Sequence, residues 1–211
     1  MRPHLALAAL TLVAATAHAE APKVRRLAVL PAGVTVKGDF EAGLAFHDRA
    51  GDNLIIFSTK QTKRSHGDWE ARSRSLYATH LVAKGSGWRV ERAVRDMEED
   101  CGSPNGGDLT AAFVPEALEV TDLDGDGTAE VTFAYRLGCR TDVRPLTMKL
   151  LVLEGGQKYI LRGQARVVLT AHDDETYGTG DFEVDPAFAK APAVFLKHAK
   201  EAWAAVRDER M

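Results

Sequence analysis

Between residues 121 and 130 the chain reads Thr121-Asp122-Leu123-Asp124-Gly125-Asp126-Gly127-Thr128-Ala129-Glu130. Aspartates alternate from Asp122 to Asp126, a glycine follows the third, and Glu130 closes the run eight residues after the first. Oxygen donors at this spacing suit a hard divalent cation; Ca²⁺ takes about 6–8 oxygen ligands at roughly 2.3–2.6 Å. A tight loop can supply them from the side chains of Asp122, Asp124, Asp126 and Glu130, with the backbone carbonyl of Thr128 and water completing the shell. Gly127 stands where the chain must turn sharply about the ion, and glycine does so without a Cβ clash. Without a cation these carboxylates repel one another. The alternative is an Asp-Gly-rich turn that binds nothing.

The flanks decide what carries the loop. An EF-hand needs a bidentate glutamate at its twelfth position and helices on both sides, but the twelfth residue here is Phe133. Val131, Phe133, Tyr135 and Leu137 recur at period two, which predicts a strand, and Leu118-Glu119-Val120-Thr121 leads in from the other side. The expected unit is strand, loop, strand. It resembles the aspartate-rich loop of FG-GAP and integrin-like propeller blades. That resemblance implies ligation through the side chains of Asp122, Asp124, Asp126 and Glu130 and the backbone of Thr128, with Glu130 in place of the more usual aspartate. A propeller needs typically four or more blades, and the chain shows one such loop and no internal repeat.

The rest of the chain supplies the frame. Val24 to Leu30 reads as a first strand turned by Pro31-Ala32-Gly33. Residues 44–47 and 54–58 flank a turn-rich stretch and predict a hairpin. Residues 76–82 and 88–94 predict a second pair joined at Lys84-Gly85-Ser86-Gly87, and residues 146–153 and 159–168 a third, joined at Glu154-Gly155-Gly156-Gln157. At the end, Asp185-Pro186 has the form of a helix start, and apolar residues from Ala187 to Val206 recur at helical spacing. Pro192 delays that helix to about 192–208. The expected fold is mainly β: a single antiparallel β-sheet domain, curved or sandwich-like, with a C-terminal α-helix.

The 211 residues carry a net charge of −3, without the basic bias of a dedicated nucleic-acid binder. Met1-Arg2-Pro3-His4 is a short basic start, Leu5 to Ala17 is almost wholly apolar, and Ala17-His18-Ala19 has the small-x-small form of a cleavage site. Thirteen residues fall short of the roughly 20 that a membrane-spanning helix needs. The expectation is a cleaved secretory signal at 1–19, a mature domain at 20–211 with no transmembrane segment, and a periplasmic or secreted location. In an oxidising compartment Cys101 and Cys139 predict a disulfide closing a loop around the acidic run, worth roughly 4 kcal/mol on the chain-entropy model. The alternatives are two free thiols or a redox pair.

Other chemistry is thin. There is no His-Glu-x-x-His, Gly-x-Ser-x-Gly, phosphate-binding loop or dinucleotide fingerprint, and no catalytic residue is assigned. His172-Asp173-Asp174-Glu175 reads as a polar loop, with a second cation site or a base at His172 as the sharper alternative. Lys60 to Ser75 carries Lys60, Lys63, Arg64, Arg72 and Arg74; it reads as a solvated hairpin loop, or else as a surface for an anionic glycan or lipid head group. The acidic and glycine-rich stretch 97–108 is a candidate mobile loop and, on a weaker reading, an inhibitory one.

One broader likeness rests on the order of these features: Cys101, the loop at 122–131, Cys139 followed by Thr141-Asp142-Val143-Arg144-Pro145, and Gly155-Gly156-Gln157-Lys158-Tyr159-Ile160-Leu161-Arg162-Gly163. In these the chain is similar to small exported bacterial proteins labelled as surface polysaccharide biosynthesis proteins. That resemblance implies an association with the cell surface and no particular reaction. The expected function is a calcium-stabilised, non-catalytic envelope protein that binds a cell-surface glycan or envelope protein. The alternative is an enzyme or accessory factor in surface polysaccharide biosynthesis.

Overall fold

The computed structural model describes residues 22–66, 69–99, 107–171 and 175–211. The first half is an antiparallel meander of β1 (Arg25–Arg26), β2 (Asp39–Asp48), β3 (Gly51–His66), β4 (Trp69–Lys84) and β5 (Gly87–Glu98), adjacent in that order. A second meander follows in β6 (Asp108–Thr121), β7 (Glu130–Arg140), β8 (Thr147–Glu154) and β9 (Gln157–Gln164). The chain then forms β10 (Arg166–Leu169), β11 (Glu175–Tyr177) and β12 (Phe182–Val184), a 3₁₀ turn at Pro186–Lys190, α1 (Ala193–Val206) and β13 (Asp208–Arg210). β12 joins the outer edge of β9, while β10 pairs antiparallel with β11 and parallel with β13. The tight hairpins have local causes. Gly155 and Gly156 hold φ of 49° and 78° between β8 and β9, a conformation that side-chain-bearing residues resist.

Period two then builds the core. From the first sheet Leu44, Phe46, Ile55, Phe57, Leu76 and Ala78 meet Val131, Phe133, Tyr135, Leu137, Leu151 and Leu153 of the second. Phe57 stands edge-on to Phe113 and Phe133 at 4.8 and 5.2 Å between ring centres. The other face of the second sheet, with Ala134, Met148, Leu150, Val152 and Leu161, is covered by Phe195, Ala199 and Trp203 of α1. β8, buried on both sides, therefore reads Met148-Lys149-Leu150-Leu151-Val152-Leu153 rather than as an alternation. On the far side of the first sheet, Leu54, Ile56 and Leu81 are covered by Leu27, Leu30, Val34 and Val36. The layers run N-terminal segment, sheet, sheet, helix. This is the mainly β, antiparallel, sandwich-like architecture with a C-terminal helix that the periodicity predicts. Among the described residues, no helix is long and apolar enough to cross a membrane.

Four expectations shift. Of Val24 to Leu30 only Arg25 and Arg26 pair as a strand, against Ala45 and Leu44. Beyond them Pro31 and Gly33, with φ 79°, break the ladder and free the segment to lie across the sheet. Lys60–Ser75 is not a loop: β3 and β4 pair through it as far as His66 and Trp69. Both faces there carry polar side chains, so no apolar alternation marks the strands. Residues 159–168 are two strands, because β9 ends at Gln164 and β10 enters another sheet. Asp185 caps the 3₁₀ turn, its Oδ1 accepting from Ala187 N at 2.9 Å, and α1 begins after Pro192. It stops at Val206, short of the expected 208, because β13 runs alongside β10 and Arg166 pairs with Asp208 at 2.7 Å.

Candidate metal centre

β6 and β7 deliver the acidic loop as a hairpin connection, with Thr121 paired to Glu130 at its base. Gly125 and Gly127 turn it with φ of 73° and 85°. Asp124 Oδ1 accepts from Asp126 N at 3.2 Å, Asp126 Oδ1 from Thr128 N at 2.6 Å, and Asp122 Oδ2 from Gly127 N at 3.1 Å. The first two are Asx turns, the third spans the loop, and together they hold it in shape.

Glu130 is the anomaly. It is 0% exposed, an unusual place for a carboxylate. Its Oε2 accepts from Leu123 N at 2.7 Å and from the Thr121 hydroxyl at 3.1 Å. Its Oε1 is buried with no hydrogen-bond partner among the described residues, and so is Asp122 Oδ1. Asp122, Asp124 and Glu130 each offer an oxygen within 4.8 Å of the others. A buried polar atom without a partner costs about 1–3 kcal/mol. Two such acceptors in one acidic cluster are complementary to a cation. Burial pushes the Glu130 carboxyl up to about 7, and Asp124 and Glu154 push the same way against the pull of the Leu123 amide and Thr121 hydroxyl.

A second group overlaps the first: Asp124, Asp126 and Glu154 also bring oxygens within 4.8 Å of one another. Glu154 arrives by register. Val131 pairs with Leu153, so Glu154 at the end of β8 falls beside Glu130 at the start of β7. Burial raises its carboxyl, as do the charges of Asp124, Asp126 and Asp122, while Arg49 lowers it.

The first sheet reaches the loop through the β2–β3 turn. Arg49 N donates to Gly127 O at 2.7 Å, and its guanidinium donates to Asp126 O at 3.0 Å and Asp126 Oδ2 at 3.2 Å. Asp48 Oδ2 accepts from Ala129 N at 3.0 Å, and its Oδ1 from Ala50 N and Asn53 Nδ2, both at 2.8 Å. Asn53 Oδ1 in turn lies 2.9 Å from His80 Nε2. The Thr128 amide, joined by the Thr128 hydroxyl and Arg49, outweighs burial and holds Asp126 below the usual carboxylate range. Both Asp126 oxygens are thus engaged.

The structure therefore gathers Asp122, Asp124 and Glu130, and sets Asp126 with Asp124 and Glu154. Thr128 contributes its amide to Asp126. Thr121, next to Asp122, adds a hydroxyl to Glu130, while Glu154, Asp48 and Arg49 are additions that local spacing does not reveal: Glu154 lies 24 residues beyond Glu130, and Asp48 and Arg49 more than 70 before it. All carboxylate donors in both groups are oxygens, the set that suits Ca²⁺ or Mg²⁺ and not a soft transition metal. His80 is 3% exposed, with its pKa lowered by burial despite the charges of Glu91 and Asp48. It forms part of the polar chain behind the loop. Cys139 lies near the end of β7, its Sγ 3.6 Å from Glu99 O. Cys101, His172, Asp173, Asp174 and most of the 97–108 loop lie outside the described residues. The chain matches no protein-family model, no curated protein and no solved structure.

Proposed function

We propose that this is an exported, calcium-stabilised, non-catalytic protein of the bacterial cell envelope that binds a surface partner, glycan or protein. The observation that carries the cation site is Glu130, fully buried with Oε1 unpartnered, beside the unpartnered Oδ1 of Asp122. A Ca²⁺ ion held by Asp122, Asp124 and Glu130, with the Thr128 carbonyl, Asp126 and water, compensates both oxygens. Because Asp48 and Arg49 fasten the same loop to the other sheet, cation binding here is coupled to the packing of the sandwich. Export rests on the basic, apolar and small-x-small order of residues 1–19, and a Cys101–Cys139 disulfide belongs to the same reading. The envelope partner rests on the resemblance to exported surface polysaccharide proteins.

The test is a calorimetric Ca²⁺ titration of the oxidised protein, with its melting temperature followed in Ca²⁺ and in chelator. The expected result is binding near one equivalent, with about 2.7 kcal/mol of added stability when free Ca²⁺ is 100 times its dissociation constant. No heat of binding and no melting shift overturn the cation site.

A further inference from the structure

Beyond the body of the first sheet, β3 and β4 continue as a bare ribbon. Pairing with β2 ends at Thr59, and pairing with β5 begins only at Arg74. Residues 60–66 therefore pair only with 69–75 of β4, and residues 69–73 have, among the described residues, no second strand partner. At about 3.3 Å per residue the ribbon projects roughly 20 Å. Two strands without a packed face are marginal in water, and Lys60 to Ser65 are all exposed.

The ribbon is basic on both faces. The register sets Lys60, Thr62 and Arg64 with Ala71, Ser73 and Ser75 on one face, and Lys63 with Arg72 and Arg74 on the other. Lys63 directly opposes Arg72, and like charges in that position destabilise a strand pair. Lys63 has Glu70 at 3.0 Å and Arg74 has Glu41 at 3.2 Å. Lys60, Arg64 and Arg72 make no ion pair with a described residue. Between the cations stand Gln61, Thr62, Ser65 and Ser73, and the Thr62 and Ser73 hydroxyls lie 2.5 Å apart.

We infer that this ribbon is a binding arm for an acidic polysaccharide, a chain bearing repeated carboxylate or sulfate groups. The anionic groups compensate the opposed Lys63 and Arg72 and also Lys60 and Arg64, which lack an ion-pair partner among the described residues, and the hydroxyl and amide side chains match sugar hydroxyls. A membrane surface fits less well, because the ribbon sequence holds only Trp69 and Ala71 as apolar residues to bury in a lipid interface. A nucleic-acid duplex fits less well because the chain as a whole carries a net charge of −3, without the basic bias of a duplex binder. The inference rests on the surface-partner part of the proposed function and not on the cation site.

The experiment measures binding of the oxidised protein to immobilised heparin and polygalacturonate. Dextran, phosphatidylserine–phosphatidylcholine vesicles and a DNA duplex are run in parallel, as is a Ca²⁺ titration of the same preparation. The expected result is binding to one or both acidic polymers that weakens with salt and exceeds binding to the other three. In the triple variant Lys60→Gln, Arg64→Gln, Arg72→Gln that binding falls at least about tenfold, with melting temperature and Ca²⁺ binding unchanged. No polymer binding, equal binding by the triple variant, or stronger binding to vesicles or duplex overturns the inference. Ca²⁺ binding without polymer binding overturns it alone; polymer binding without a Ca²⁺ response upholds it and overturns the cation site alone.

Discussion

Replacing Glu130 by glutamine makes a prediction whose sign changes with calcium. In the cation-free protein a buried carboxylate keeps one oxygen unpartnered beside another unpartnered oxygen on Asp122. Raising a carboxyl from 4.5 to about 7 corresponds to a cost on the order of 3 kcal/mol at neutral pH. Screening by the exposed loop around it trims this to about 2 kcal/mol. The sign follows from linkage: a carboxyl raised on folding costs nothing below its unfolded value, and stability falls as pH climbs from there to about 7. A glutamine side chain in its place carries no charge, retains an oxygen for the Leu123 amide and Thr121 hydroxyl, and turns an N–H₂ toward Asp122. In chelator the Glu130→Gln variant is therefore expected to be about 1–2 kcal/mol more stable than the parent. In saturating Ca²⁺ the order reverses, because the variant has lost a charged ligand and with it most of the roughly 2.7 kcal/mol of linkage. Urea unfolding in both conditions at pH 7.5, followed by tryptophan fluorescence, measures all four values. If the variant is destabilised in chelator by 2 kcal/mol or more, or gains as much from Ca²⁺ as the parent, the account of Glu130 as a ligand awaiting a cation is wrong.

Two further outcomes follow. Asp48→Ala removes the acceptor for Ala129 N, Ala50 N and Asn53 Nδ2, and both Ala129 and Asn53 are buried. It should cost about 2–4 kcal/mol in urea unfolding, against under 1 kcal/mol for Arg49→Ala, whose ion pair to Asp126 is exposed; equal costs would mean the turn does not fasten the sheets. Acid stability should report Asp96. Burial raises its carboxyl, but hydrogen bonds from Lys149 at 2.5 Å and Tyr135 at 2.8 Å, with the Lys149 charge, outweigh it and hold the carboxyl below 3.8. A depressed carboxyl stabilises above its unfolded value and loses that contribution as pH falls below about 3.8, so Asp96→Asn should flatten the stability curve there and leave its shape above pH 5 unchanged.

What sequence could and could not carry divides along one physical line. Features whose cause is local were legible. Alternation on β7, paired glycines at 155 and 156, and Pro192 before α1 each act within a few residues of where they stand. Features whose cause is register were not. Glu154 belongs to the centre because β8 runs antiparallel to β7 with Leu153 against Val131. Asp48 belongs because one sheet is laid on the other, which brings the β2–β3 turn over the loop. The ribbon escaped for a different reason: hydrophobic alternation marks a strand only where one face is buried. β3 shows its apolar run at Leu54, Ile55, Ile56 and Phe57, inside the sandwich, and loses it at Lys60, where the strand leaves cover without ceasing to be a strand. The acidic loop lies between these cases. Its spacing names a candidate cation from residues 122–130 alone, yet the oxygen that argues most strongly for one is Glu130 Oε1. That atom is buried because Glu130 opens a strand covered on both faces. Its burial follows from the register that sets Glu130 between β6 and β8 and from the loop that brings Leu123 over it, so the strength of the site is a property of the tertiary structure and not of spacing alone.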